Sequence, residues 1–467
     1  MAVREGSRPN ILFFFTDDQR FDTLNALGNE RISTPTMDSW IERGTAFTQA
    51  HIMGGTSPAV CMPSLAMLMT GRYLFHLEAQ GQGIPSDHVL LGEHLQANGY
   101  RTFGTGKWHN GPSSYARSFS DGAEIFFGGM EDHWNVPACD YDPSGEYGER
   151  PIVESPFTSN TVSWRRVDHV TAGKHSSELF CEAAIDFLDG YDDDAPFFMY
   201  ISFMAPHDPR TMPRQFLEMY DPKEVALPPN FMQRHPFDNG DLLIRDELLA
   251  AHPREESEIR RHLAEYYAMI SHADAQMGRV MDKLREKGLE DDTIIVFAGD
   301  NGLALGQHGL MGKQSLYDHS VRVPLVFCGP GVPEGVRSKA RCYLLDIYPT
   351  LCELTGLPQP QTVDGTSLVN AMNDGDDRVR ETLYCAYKEL HRSVRDDRHK
   401  LIEYVVQGER HTQLFDLVDD PWETRNLAFE AEHSETLERL RAAMKAWRQT
   451  TDDQGPMGRQ FWGGYTE

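Results

Sequence analysis

Three strand-length runs of apolar residues punctuate the chain, and each breaks at once into polar groups. Residues 11–15 (Ile-Leu-Phe-Phe-Phe) lead into Thr16-Asp17-Asp18-Gln19. Residues 196–204 lead into Ala205-Pro206-His207-Asp208-Pro209, and residues 293–298 into Gly299-Asp300-Asn301-Gly302. Short runs apolar on both faces predict strands buried on both sides. A fourth strand is expected at 324–328, and a fifth begins at Tyr100 and runs into a glycine-flexible loop carrying Lys107 and His109. Between these lie predicted helices at 36–43, stopped by Gly44, at 90–98, closed by Gly99, and at 178–188 and 345–355. Residues 255–287 predict one long helix or a broken pair, ended by Gly288. Buried strands alternating with helices define an α/β class.

Residues 110–170 lack clear periodicity and predict a binding loop, and the Pro-rich stretch 205–250 predicts a cleft wall. A Pro/Gln/Asp/Gly-rich break at 357–380 separates a domain of residues 1–370 from a smaller one of 371–467. Beyond it, 382–387, 392–394, 400–405 and 413–416 alternate like strands of a small antiparallel sheet, with a closing helix at 433–448.

Composition narrows the function. The chain has 467 residues, 40% of them apolar, as ordered enzymes do. No apolar run is long enough to span a bilayer. The first residues, Met1 to Gly6, show no hydrophobic signal region, which predicts a cytoplasmic protein as written, or a periplasmic or secreted one if a signal peptide was removed. A net charge of −27 disfavours nucleic acid and anionic membrane surfaces as partners. An anionic substrate would need a local cluster of cations to overcome that field. Seven cysteines without paired spacing suggest neither a disulfide framework nor a zinc site.

The chemistry concentrates at the ends of the apolar runs and in one cysteine segment. Carboxylates at the carboxyl edge of buried strands need a cation or hydrogen bonds to balance them, and that edge is where open α/β sheets bind ligands. In Cys61-Met62-Pro63-Ser64-Leu65-Ala66-Met67-Leu68-Met69-Thr70-Gly71-Arg72, Pro63 and Ser64 suit a first helical turn and Gly71 a stop. Cys61 would then sit at a helix N-terminus, where the dipole favours anions and lowers a thiol pKa, while Leu65 four residues on presents an apolar wall that raises it.

This segment resembles the signature of the formylglycine-dependent sulfatases, Cys-x-Pro-Ser-Arg followed by Thr-Gly-Arg. Gly106-Lys107-Trp108-His109, the Pro-His element at 206–207, Gly306-Gln307-His308-Gly309 with Lys313 and Tyr317-Asp318, Arg322-Val323-Pro324-Leu325 and Asp420-Pro421-Trp422-Glu423 match further family motifs in order. The resemblance implies an alkaline-phosphatase-like sulfatase fold: a large mixed sheet flanked by helices on both faces, with a smaller C-terminal α+β domain. It implies one Ca²⁺ or Mg²⁺ held by Asp17, Asp18, Asp300 and Asn301, an all-oxygen set suited to a hard cation. It implies that Cys61 becomes formylglycine through a formylglycine-generating enzyme and acts as hydrated nucleophile. Lys107 and Lys313 would hold the sulfate, His207 would protonate the leaving alcohol, and His109 would accept a proton from residue 61.

Leu65 departs from the pattern, since the family has Arg there. The leading expectation is a sulfatase acting on a small-molecule or oligosaccharide sulfate ester. One alternative is a catalytically weak or silent relative. The other is a phosphodiesterase or phosphonate hydrolase of the superfamily, with Ser64 or Thr56 as nucleophile. The aromatic- and cation-rich irregular segment adds His133, Trp134, Arg165 and Arg166, with His391, as expected lining of a cleft for a sulfated sugar.

Overall fold

A computed structural model describes residues 8–77, 81, 83–153, 158–375 and 378–465. Met1 to Gly6, and with them the reading of the N-terminus, lie outside the described residues. An eight-stranded mixed sheet forms the centre. Its order across the sheet is Val336–Tyr343, Gly44–His51, Leu325–Cys328, Thr293–Gly299, Asn10–Thr16, Phe197–Ser202, Arg101–Lys107 and Asp121–Phe126. Only Leu325–Cys328 runs antiparallel to its neighbours. The three apolar runs lie side by side at the middle, and every residue of the strands at 10–16, 197–202 and 293–299 is buried. One apolar cluster packs on each face: Ile11, Phe13 and Phe15 point into the first, Leu12 and Phe14 into the second.

Three strands of this sheet were not expected: the outer strand Asp121–Phe126, and at the other side Gly44–His51 and Val336–Tyr343. The sequences of the last two, Gly-Thr-Ala-Phe-Thr-Gln-Ala-His and Val-Arg-Ser-Lys-Ala-Arg-Cys-Tyr, mix polar and small residues as strands near a sheet edge do. Gly44 stops the preceding helix as predicted and also starts a strand. A Cβ there would meet the Phe327 carbonyl oxygen at 2.1 Å, so only glycine admits the neighbouring strand.

The segment 110–170 is more ordered than a binding loop. It holds the helix Pro112–Ser118, the outer strand Asp121–Phe126, and a hairpin of Glu149–Val153 with Val162–Arg166. Residues 255–287 form one helix, Glu256–Glu286, whose buried stripe packs on the second cluster. The four C-terminal strands form as predicted, at Leu383–Tyr387, His391–Arg395, His399–Val406 and Glu409–Asp416. Their sheet gains a fifth strand from the N-terminal half, Gly54–Gly55, parallel to Leu383–Tyr387. All seven cysteines are free and buried. No helix among the described residues is long and apolar enough to cross a membrane.

Candidate active site

Sheet register brings the polar groups together. Thr16 pairs with Gly299, Phe15 with Ser202, and Ser202 with Gly106, so Asp17, Asp300, Phe203 and Lys107 emerge at neighbouring positions of one carboxyl edge. The strand at 101 continues through Lys107, so the expected loop begins later, at Trp108. Gly106 makes this possible: its φ is +90°, and a Cβ would meet the Ser202 carbonyl oxygen at 1.9 Å.

The helix Cys61–Thr70 begins at the cysteine and ends at Gly71, which is left-handed with φ 65°. Its N-terminus is aimed at the same edge. Ser64 Oγ donates to the Asp300 carbonyl at 2.6 Å. Asn110 Nδ2 donates to the Met62 and Gly81 carbonyls at 3.0 and 2.7 Å, tying the loop after His109 to this helix. Cys61 Sγ lies 3.1 Å from His109 Nδ1.

Charges interlock around it. Lys107 Nζ donates to Asp17, and Lys313 Nζ to Asp18 Oδ1 at 2.6 Å. Asn301 Nδ2 also donates to Asp18 Oδ1, at 2.6 Å, and the Asp18 amide donates to Asp300 Oδ1 at 2.8 Å. Asp18 sits in the left-handed region, φ 66°, and its carbonyl accepts from Tyr266 Oη at 2.5 Å. His207 Nε2 lies 3.7 Å from Asp18 Oδ2. Asp17, Asp18, Cys61, Lys107, His109, His207, Asp300, Asn301 and Lys313 belong to one cluster, and all but His109 are buried.

Burial and charge set the protonation states. Burial alone would raise the Asp17 carboxyl, but Lys107, His207 and Lys313 outweigh it and hold it below its ordinary range. Burial and then Asp17 push Asp300 well up. Burial raises the Cys61 thiol against Lys107 and Lys313, so the helix N-terminus does not make it a ready thiolate. Burial, with Lys107 and Lys313, lowers His109 to about 3 despite Asp17, leaving a neutral imidazole beside residue 61.

The residues present fit a hard cation. Asp17, Cys61 and Asp300 offer ligand atoms within 4.8 Å of one another. Asp17 Oδ1 and Asn301 Oδ1 are buried and take part in no hydrogen bond, an arrangement that costs about 1–3 kcal/mol per group unless something occupies it. Three carboxylates meet only two ammonium groups, which leaves room for further positive charge.

Leu65 lines the small cavity at Cys61 together with Phe15, Lys107, His109, Phe203 and Asp300. None of His133, Trp134, Arg165, Arg166 or His391 lines it. His133 and His391 are wholly buried and cannot line an open cleft. His133 bonds through Nε2 to the His207 carbonyl at 3.1 Å and through Nδ1 to Ser176 Oγ at 2.7 Å, so it steadies His207 from behind. His391 bonds to the Asn239 carbonyl at 2.6 Å and packs on Tyr404. Arg165 pairs with Glu131, Arg166 with Glu149 at 2.9 Å, and Trp134 packs edge-on against His175. Their composition drew attention, but each is used locally.

Sequence reasoning missed Asn110, Asp208 and Arg245. Asp208 Oδ1 is 3.5 Å from His207 Nδ1 and is gripped by both Nη atoms of Arg245. Adjacency to His109 and His207 was the available signal for Asn110 and Asp208. Arg245 carries none, because it reaches Asp208 from 37 residues away.

The fold and this cluster place a buried cysteine at a helix N-terminus, against the carboxyl edge of a wide mixed sheet. The sulfatase family profile matches residues 9–357, and a second profile, N-sulphoglucosamine sulphohydrolase, C-terminal, matches residues 306–450. The chain belongs to the sulfatase family and is a sulfuric ester hydrolase. It is 28% identical to an ulvan-active sulfatase of Formosa agariphila over 93% of this chain and 80% of that protein. It is 27% identical to an arylsulfatase of Clostridium perfringens, covering 93% of each. A solved structure in complex with its substrate D-glucosamine-2-N,6-O-disulfate superposes with a TM-score of 0.76 at 22% identity, covering 97% of this chain and 99% of that one.

Proposed function

We propose that the protein hydrolyses a sulfate monoester of a carbohydrate, releasing alcohol and inorganic sulfate. The observation that carries this is the convergence of Asp17, Asp18, Cys61, Lys107, His109, His207, Asp300, Asn301 and Lys313 on one sheet edge. A sugar is supported by the ulvan-active relative and by the disulfated glucosamine held by the similar structure.

Asp17, Asp18, Asp300 and Asn301 would hold one Ca²⁺ or Mg²⁺, and position 61 would carry formylglycine in the converted, active form. When present, these supply a hydrated aldehyde as nucleophile and the Lewis acidity that favours its ionised form. The chain's own groups do the rest. Lys107 and Lys313 bind the sulfate oxygens and offset the charge that builds on them. His207 Nε2 donates a proton to the departing alcohol oxygen. His109, neutral at pH 7, accepts one at Nδ1 from the group at position 61. Ser64 is poorly suited as an alternative nucleophile, because its hydroxyl is committed to the Asp300 carbonyl.

Mass analysis of the Cys61 peptide, followed by assays on a 6-O-sulfated glucosamine, an aryl sulfate and an aryl phosphate, tests the reading. Converted protein should release sulfate from the sugar, and chelation should abolish that release and lower the melting temperature. Faster hydrolysis of the phosphate, or no sulfate release by converted, metal-loaded protein, would refute it.

A further inference from the structure

A cavity much larger than the one at Cys61 lies elsewhere, and the two share no lining residue. It has a volume of about 710 Å³, within the roughly 300–1,000 Å³ typical of small-molecule sites. Segments far apart in sequence enclose it: 20–31, 47–48, 226–229, 263–267, 322–324, Arg337 and Trp422.

Its chemistry is two-sided. Phe47, Leu227, Leu263, Tyr267 and Trp422 give it broad apolar walls. Four arginines also line it, Arg20, Arg31, Arg322 and Arg337, against one carboxylate, Asp22. Asp22 is already used: Arg20 Nε and Nη2 bond to it at 2.7 and 3.2 Å. Arg20 is buried, and its Nη1 has no hydrogen-bond partner. Arg322 is held in place, with Nε on the Thr48 carbonyl at 2.8 Å, Nη1 3.4 Å from Asp318 Oδ2, and its guanidinium 3.9 Å from the centre of the Phe21 ring. Arg31 and Arg337 are exposed and form no ion pair among the described residues; Arg337 Nη2 donates only to the Ala26 carbonyl, at 3.3 Å. In a chain of net charge −27, two guanidinium groups without an ion pair, Arg31 and Arg337, and the free Nη1 of Arg20 around an apolar hollow focus a local positive potential.

We propose that this cavity is a second ligand site, distinct from the catalytic one, that takes a small organic anion with a flat apolar body and an acidic group. The body lies against Trp422, Leu227 and Phe47, and the acid group faces Arg31, Arg337 and Arg322. The walls are preformed: the Trp422 carbonyl is held by Asn230 Nδ2 at 2.9 Å, and Arg322 is fixed by Thr48 and Phe21. Preformed walls lower the ordering cost of binding.

The test uses 8-anilino-1-naphthalenesulfonate as probe with the intact, folded protein. Fluorescence titration should show one saturable site. The double variant Arg31→Glu/Arg337→Glu should weaken it roughly ten-fold, as expected for about 1.4 kcal/mol lost over two exposed charges. Leu227→Trp, which fills the hollow, should abolish it. Melting temperature and circular dichroism confirm that both variants are folded, and Cys61→Ala should bind as wild type does. Hydrogen exchange with the probe bound should slow at 20–31, 226–229 and 322–324. Absence of saturable binding, equal affinity in the folded variants, or protection confined to 61–65 and 107–109 would overturn the proposal.

Discussion

Leu65 is where the chain departs from the family motif. It is one helical turn from Cys61, 4% exposed, and shares the Cys61 cavity with Phe15 and Phe203. Three apolar groups beside a thiol whose pKa is already raised by burial disfavour any ionised group at position 61. The Leu65 protein is therefore expected to carry mostly unmodified Cys61 and to be weakly active. Leu65→Arg, co-expressed with a formylglycine-generating enzyme, should restore both conversion and turnover. The mass of the tryptic peptide containing Cys61, measured in both proteins, checks this; a fully converted and fully active Leu65 protein would contradict it. His207 supports a separate expectation. Its ring is held by the Asp208 carbonyl at 2.8 Å and its carbonyl by His133, an arrangement that aims Nε2 into the site. His207→Ala should reduce kcat/KM for alkyl sulfates by about 10²–10⁴-fold and for activated aryl sulfates far less, because a basic leaving group needs the proton and a phenolate does not. Equal losses on both substrates would remove His207 from the acid role. The nine cluster residues were legible in the sequence because each follows an apolar run or sits in an ordered motif. Asp208 and Arg245 were not, since their pairing depends on how the segment 205–250 folds back on itself.

At the level of elements, one helix is anchored by another. The helix Pro35–Arg43 has no side-chain cap of its own, and its Thr36 and Met37 amides donate instead to Asp274 at 3.1 and 2.8 Å. Asp274 belongs to the long helix Glu256–Glu286 and is buried. Asp274→Ala should destabilise the protein by about 1–3 kcal/mol, because two buried donors lose their acceptor; denaturant unfolding measures it. Burial raises Asp274 from 3.8 to about 6, against the two amide donors. A carboxyl whose folded pKa exceeds its unfolded value contributes stability that is complete below the unfolded pKa and is lost as pH rises through the folded one. Asp274→Asn should therefore flatten the stability profile between about pH 4 and pH 6. A profile as steep as that of wild type would show that Asp274 does not titrate there. This anchor was invisible in the sequence, as were the strands Gly44–His51 and Val336–Tyr343. Strands with mixed polar patterns form where a neighbour supplies pairing, and local pattern does not report neighbours.

Across the whole molecule, a buried ionic hub joins the N-terminal and C-terminal parts. Lys400 Nζ, on the small sheet, bridges Asp318 and Glu423 at 2.8 Å each, and Glu423 accepts from the Asp318 amide at 2.8 Å. Arg395 and Arg322 complete the circle at 3.2 and 3.4 Å. Asp318, Lys400 and Glu423 are each less than 5% exposed. Lys400→Met should cost about 3–5 kcal/mol, because it leaves two buried carboxylates facing one another. Calorimetry should show one lowered transition, since the strand Gly54–Gly55 and this hub bind the two sheets into a single cooperative unit. Two separated transitions in the wild-type protein would refute that coupling.

The sequence by itself determined the central strands, the helix that begins at Cys61, the four C-terminal strands and the order of the family motifs. These follow from local physics: unbroken apolar runs must be buried, glycine ends helices, and polar groups at strand ends collect at one edge. Tertiary structure alone decided the use of the conspicuous residues between them. His133 became a brace for His207, His391 a core residue, and Arg165 and Arg166 partners of nearby glutamates. It also drew four arginines from distant segments into a second cavity. A side chain's type fixes what it is able to do, but its neighbours fix what it does, and those neighbours lie tens to hundreds of residues away along the chain.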